Sequence, residues 1–220
     1  MATGIMQPWM PPQLEELAGG VEVLMEYKER EERLEEKHIV KLDVLEEDLE
    51  GLCVSKVLFE NCSFQDCSFA KAEFTDVIFQ SCDFSNSNFS DGYFNRCRFL
   101  SSKGLGARFC GSVIQNVVIK ECNLNYSNFD SSKLEKIRIE KTQMTGGNIS
   151  QCKCKAITWA NVTLESASFF KTPLRGMDFT TCNLTGLSLS DELTELKGAV
   201  VDLYQAAELA KRLGLVIKTD

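Results

Sequence analysis

Apolar residues recur at every fifth position from Phe59 to Leu189, in unbroken phase and with one exception, Gly104. The series begins Phe59, Phe64, Phe69, Phe74, Phe79, Phe84 and continues through Ile119, Ile139, Trp159 and Phe179. It holds 26 of 27 positions in a chain that is 44% hydrophobic and takes thirteen of the fourteen phenylalanines, so chance patterning is excluded. A period of five matches neither the 3.6 of an amphipathic helix nor the 2 of a half-buried strand.

Two places before each large residue stands a second inward series, mostly small: Cys62, Cys67, Ala72, Cys82, Ser87, Gly92, Cys97 and onward to Cys182. One large and one small inward residue per five-residue side is what a narrow coil holds. The intervening Asp, Asn, Ser, Lys and Glu favour turns and solvent. The pattern therefore predicts an all-β solenoid whose coils stack their backbones as parallel ladders about 4.8 Å apart. A weaker run in the same phase, Ile39, Val44, Leu49 and Val54, places the start of the first coil near His38.

Segments such as Cys62-Ser63-Phe64-Gln65-Asp66, Cys82-Asp83-Phe84-Ser85-Asn86 and Cys122-Asn123-Leu124-Asn125-Tyr126 resemble the pentapeptide repeat. That resemblance implies four sides per turn in a right-handed quadrilateral β-helix, so residues twenty apart would stack. Seven to eight coils at the ladder spacing would give a rod on the order of 35 Å long. The expected organisation is an acidic N-terminal cap over residues 1–37, partly helical, then the β-helix over 38–191, then a C-terminal strand-helix-strand segment over 192–220.

Composition narrows the chemistry. Seven of the ten cysteines occupy the small inward position and Cys154 the large one, which makes them core filler rather than a disulfide framework. Cys152 and Cys154 have no second ligand pair at metal spacing, and His38 is the lone histidine. A filled rod offers no cleft in which a nucleophile and base would converge, so no catalytic residue, metal or cofactor is expected. Residues 1–20 lack the basic start and apolar run of a secretory signal, and no stretch is long enough to cross a membrane. The expected location is cytoplasmic.

The two ends differ from the coils. Between Glu15 and Glu50 there are fourteen acidic and five basic residues, and Val21 to Lys37 reads as a short charged helix shielding the first coil. Near the other end, Asp202 with Gln205 three places on makes a capping-box start, Lys211 and Arg212 fill the last turn, and Gly214 stops the helix. Leu203, Ala206, Ala207, Leu209, Ala210 and Leu213, followed by Leu215 and Ile217, exceed what one buried face needs. This surface reads either as a terminal cap or as a dimer interface, with dimerisation preferred.

The ending from Gln205 to Ile217, preceded by Pro173-Leu174-Arg175-Gly176-Met177-Asp178-Phe179, resembles the C-terminal part of Qnr-type proteins, the MfpA-related group that protects DNA gyrase and topoisomerase IV from quinolones. The resemblance implies a homodimer joined end to end and a rod that mimics duplex DNA, with no direct nucleic-acid binding. The alternative is a pentapeptide-repeat scaffold for some other protein, with no gyrase role. Mimicry asks for acids where phosphates would lie. Yet Gly51 to Ser190 carries twelve acidic and fifteen basic residues, so the net charge of −8 comes largely from the N-terminal part. The acidic positions nearest that part, Glu60, Asp66, Glu73, Asp76 and Asp83, are the candidate topoisomerase-facing residues. Lys103, Gly104 and Leu105 join them as a contact point if the segment 101–106 bulges; otherwise it is an underpacked corner.

Overall fold

A computed structural model describes residues 4–17 and 20–218 and shows a parallel β-solenoid of about seven turns. The pairing is in register at twenty throughout the rod: Ile39, Phe59, Phe79, Phe99, Ile119, Ile139 and Trp159 stand one above another. Each turn therefore has four sides. From Glu31 to Gly176 every fifth residue is a corner with a positive φ, near +55° for most of the non-glycines, the left-handed conformation that lets the chain turn outward without consuming core space.

The four sides are not equivalent, and side-chain chemistry explains why. Two adjacent sides form continuous strands, such as Val113–Lys120, Lys133–Glu140 and Lys153–Ala160. Here the residue before the large inward one is mostly apolar, aromatic or long, as in Ile78, Tyr93, Arg98, Val113 and Val118. The other two sides are built mainly of turns joined by single bridges such as Asp83↔Lys103 and Asn88↔Arg108. There Asp83, Asn88, Asn123, Asn128 and Asn148 each accept the N–H two residues on, an Asx turn that competes with strand geometry.

The core is a column of stacked rings. Phe59, Phe79 and Phe99 lie at centroid spacings of 5.3 and 4.8 Å, and Phe69, Phe89, Phe109 and Phe129 at 5.0, 5.0 and 4.8 Å. Edge-to-face contacts join neighbouring sides, as between Phe59 and Phe64. The small inward residues carry polar work as well as fitting the space. Cys82, Cys97, Ser112, Cys122 and Thr172 each donate to a main-chain carbonyl 23 residues back, and Ser102, Ser112 and Thr172 accept the N–H of the residue twenty back. Unpaired backbone groups buried at these corners would each cost about 1–3 kcal/mol. All ten cysteines are free thiols, and burial pushes Cys97 up to about 12 and Cys122 and Cys152 to about 11.

Three expectations require correction. The regular register begins before His38: Leu34 is fully buried and pairs with Val54. The short helix α1 is confined to Val21–Glu29, after which Leu34–Glu35 and Lys37–Val40 run as strands. Segment 101–106 neither bulges nor leaves space, because Lys103 pairs with Asp83 and Asn123 and the chain keeps its ladder through Gly104. Phe84 and Leu124 close over the missing side chain, leaving a void of about 10 Å³, no more than one water needs. A Cβ on Gly104 would lie 2.4 Å from the Phe84 ring and 2.9 Å from Leu124. Gly104→Ala is therefore expected to lower the unfolding free energy by about 1–3 kcal/mol through overpacking, read as a lower denaturant midpoint.

Candidate interaction surfaces

The candidate acids do not form one face. Asp66 and Glu73 are exposed, whereas Glu60 is half-buried and hydrogen-bonded to His38 at 2.9 Å. Asp83 is tied into its own turn by the N–H and hydroxyl of Ser85. Asp76 is 4% exposed and serves the fold: its Oδ1 accepts from Arg96 Nε at 2.6 Å and from the Trp9 N–H at 2.9 Å, and its Oδ2 from Arg96 Nη2 at 2.6 Å. Burial opposes ionisation there, but the Arg96 guanidinium and the Trp9 N–H outweigh it and hold the carboxyl below its usual range. Asp76 is thus unavailable as a phosphate substitute. Lys103 is exposed, Leu105 partly so, and Gly104 is buried.

Opposite charges stand one rung apart along the rod. Lys56 pairs with Glu36 at 2.9 Å, Arg96 with Asp76 at 2.6 Å, Lys155 with Glu135 at 3.1 Å and Lys28 with Asp48 at 3.0 Å, each pair separated by twenty residues. The acidic N-terminal part spends several carboxylates this way, and such exposed, solvent-screened pairs add little to stability.

A feature missed in the sequence is the N-terminal segment before α1. Residues 4–14 lie along one corner of the rod, where Met6 N–H donates to Asn116 Oδ1 at 3.4 Å, Trp9 N–H donates to Asp76, and Lys56 Nζ sits 5.2 Å from the Trp9 ring centroid. Glu15–Glu16 then pairs with Lys37–His38 below the first coil. No period announces contacts between residues 67 and 110 apart. The proline-rich composition is its one local signal.

At the C-terminal end the expected helix start is present: Asp202 accepts the Gln205 N–H at 2.8 Å, and Gln205 Oε1 accepts the Asp202 N–H at 2.9 Å, opening α2 (Leu203–Lys211). Gly214 has φ +79° just past its end. The inward face of α2 is Gln205, Leu209 and Arg212. Gln205 Nε2 donates to the carbonyls of Phe179 and Cys182, Leu209 packs on the core, and Arg212 donates to the Leu187 carbonyl. Leu209 is therefore a cap residue rather than a free interface position, and Ala207 and Ala210 are half-buried. The outward apolar surface is Leu203, Ala206, Leu213, Leu215 and Ile217, joined by Val216 of the same apolar tail and by Tyr204; Tyr204 and Val216 are 82% and 88% exposed. Among the described residues no strand follows α2, so the expected second strand of the C-terminal segment is absent.

Between the last coil and α2, Glu195 closes the ladder. It is 3% exposed; its Oε1 accepts the N–H groups of Lys171 and Ser190, and its Oε2 accepts the Ser190 hydroxyl. Burial raises its pKa, but these donors prevail and the net shift is downward.

Among the described residues no helix is long and apolar enough to cross a membrane, and no three of His, Cys, Asp and Glu gather as a metal site.

Residues 72–149 match the family model "Pentapeptide repeat region". The chain is 42% identical over 89 residues to the uncharacterized protein YisX of Bacillus subtilis (strain 168); the match covers 40% of this chain and spans 42% of that protein's length. Among solved structures, HetL, a pentapeptide repeat protein involved in heterocyst differentiation regulation from the cyanobacterium Nostoc, superposes with a TM-score of 0.55 at 13% identity, over 84% of this chain and 98% of its own. Trypsin-treated QnrB1, a plasmid-mediated fluoroquinolone resistance protein, matches at 22% identity and a TM-score of 0.48, over 94% of this chain and all of its own.

A carboxylate with a depressed native pKa stabilises the fold above its unfolded pKa and loses that contribution as pH falls. Unfolding measured from pH 7 down to about 3 should therefore show Glu195→Gln less stable at neutral pH and converging on the parent in acid, since the unfolded Glu titrates near 4.3. Five-residue phase and four-sided register agree with the match of residues 72–149 to a pentapeptide repeat region, and the fold is a four-sided parallel β-solenoid.

Proposed function

We propose that this protein is a non-enzymatic, cytoplasmic binding scaffold. It pairs end to end with a second copy through α2 and the tail to Ile217, and it protects a type II topoisomerase, DNA gyrase or topoisomerase IV, from quinolones. The observation that carries the pairing is the outward apolar surface of Leu203, Tyr204, Leu213, Leu215 and Val216, left exposed after Gln205, Leu209 and Arg212 have capped the last coil. Contiguous apolar surface of this kind marks an association site. The partner assignment rests on the resemblance of the ending from Gln205 to Ile217 to Qnr-type sequences.

A second reading has its own support. Glu60, Asp76 and Asp83 are engaged by His38, Arg96 with Trp9, and Ser85, which leaves the rod poor in free acids for a DNA mimic. That favours a scaffold for a protein other than a topoisomerase.

Leu203→Asp with Leu213→Asp is expected to give a folded monomer by analytical ultracentrifugation. An unchanged sedimentation mass would refute the assigned interface. In gyrase supercoiling assays with ciprofloxacin, the protein should restore supercoiling in a dose-dependent manner. No rescue of either gyrase or topoisomerase IV, with soluble dimer present, leaves the second reading standing.

A further inference from the structure

The structure assigns an anion-binding site to the pocket between residues 4–7 and the strand side that carries Arg98 and Arg138. Arg98, Val118 and Arg138 occupy one ladder position on three successive rungs, so the two arginines flank a buried valine about 10 Å apart at their backbones. The Nε atoms of both are buried and have no hydrogen-bond partner among the described residues. Arg98 has no ion-pair partner there either, while Arg138 reaches only Glu140, at 3.5 Å. Lys120 lines the same pocket, and its neighbour Glu121, 3.8 Å away, is shared with Lys141.

The chemistry of these groups specifies the ligand. The buried Nε atoms do not reach the pocket, but a guanidinium donates and never accepts, so any polar ligand that Arg98 and Arg138 hold there must be an acceptor. The pocket wall carries three cations against one carboxylate, so the acceptor that fits is anionic. A guanidinium fork matches two oxygens of one oxyanion, and two guanidinium groups on one wall of the pocket suit a group with three or four oxygens. The cavity, about 390 Å³, is larger than a bare phosphate ion and admits a small phosphate monoester. Its opposite wall is Gly4, Ile5 and Gln7, so a phosphate seated here would bridge the N-terminal segment to the rod. This site lies on the side of the rod, away from α2, and does not depend on the pairing or the partner proposed above.

Isothermal titration of the full chain with inorganic phosphate, and separately with AMP, at constant ionic strength tests the assignment. Saturable binding is expected, and Arg98→Gln or Arg138→Gln should each weaken it about tenfold or more, as loss of a hydrogen bond to a charged group does. Arg98→Lys, which keeps the charge and loses the fork, should also weaken it. Arg175→Gln, outside the pocket, should leave it unchanged. Tighter binding of AMP than of phosphate identifies a monoester as the ligand class, and equal binding identifies the free ion. Circular dichroism of each variant confirms that the coil is intact. No heat with either ligand up to about 20 mM, well above the millimolar range of a weak specific site, overturns the assignment. So does equal weakening by Arg175→Gln, or an affinity indifferent to both Arg98→Gln and Arg138→Gln.

Discussion

Every other feature of this molecule depends on the left-handed corner. A five-residue side closes only if one residue in five takes a positive φ, and from Glu31 to Gly176 one does, whether glycine, asparagine, lysine or tyrosine. For non-glycines each such corner costs roughly 1–2 kcal/mol. The cost is offset locally, because the corner N–H still joins the ladder: Asp66 donates to the Ser85 carbonyl and Tyr126 to the Thr145 carbonyl, nineteen residues on. Ring stacking then adds to each rung. A single insertion would put a corner where a core residue belongs, and the unbroken phase of the chain is the visible consequence.

That constraint explains what was legible. Large inward residues, small inward residues and the polar remainder are all set by distance from the nearest corner, so one period reads them all. Cys154 is the exception among the large positions, being half-buried. Its neighbour on the next rung is Leu174 beside Pro173, and a proline has no N–H to give the ladder, so strand pairing on that side ends with Lys153–Lys155. A cavity of about 370 Å³ opens there. The number of sides per turn was not readable from the period alone. Neither was the split into strand sides and turn sides, although Asn and Asp placed just before the large residue were its signal.

Segments outside the register were the illegible part. The strap over residues 4–14 is fixed by Asp76 and Asn116, two positions that the repeat treats as ordinary corners, and nothing at either corner marks it as a receptor. The same corner logic misdirects a charge count. In a register of twenty, an acid and a base placed twenty apart are in contact, so Lys56 with Glu36 and Arg96 with Asp76 cancel where a linear tally sees free charge. Electrostatic mimicry in a solenoid has to be judged column by column.

A stacked coil also has two ends at which ladder groups face nothing, and both ends here abandon the spacing of twenty to deal with them. At the start Glu15 pairs with Lys37 and at the finish Asp178 bridges Val200, each 22 apart, because extra residues are folded in as cover. The first end is sealed by α1, with Leu24 buried, and the last by Glu195 and Gln205, whose side chains take up main-chain groups of the final coil. Once those groups are satisfied, further apolar residues add nothing to the seal. Leu203, Tyr204 and the tail to Ile217 are such residues, turned away from the rod. Capping therefore explains the polar inner face of α2 and leaves its apolar outer face without a partner on the rod, which is the observation the proposed pairing rests on.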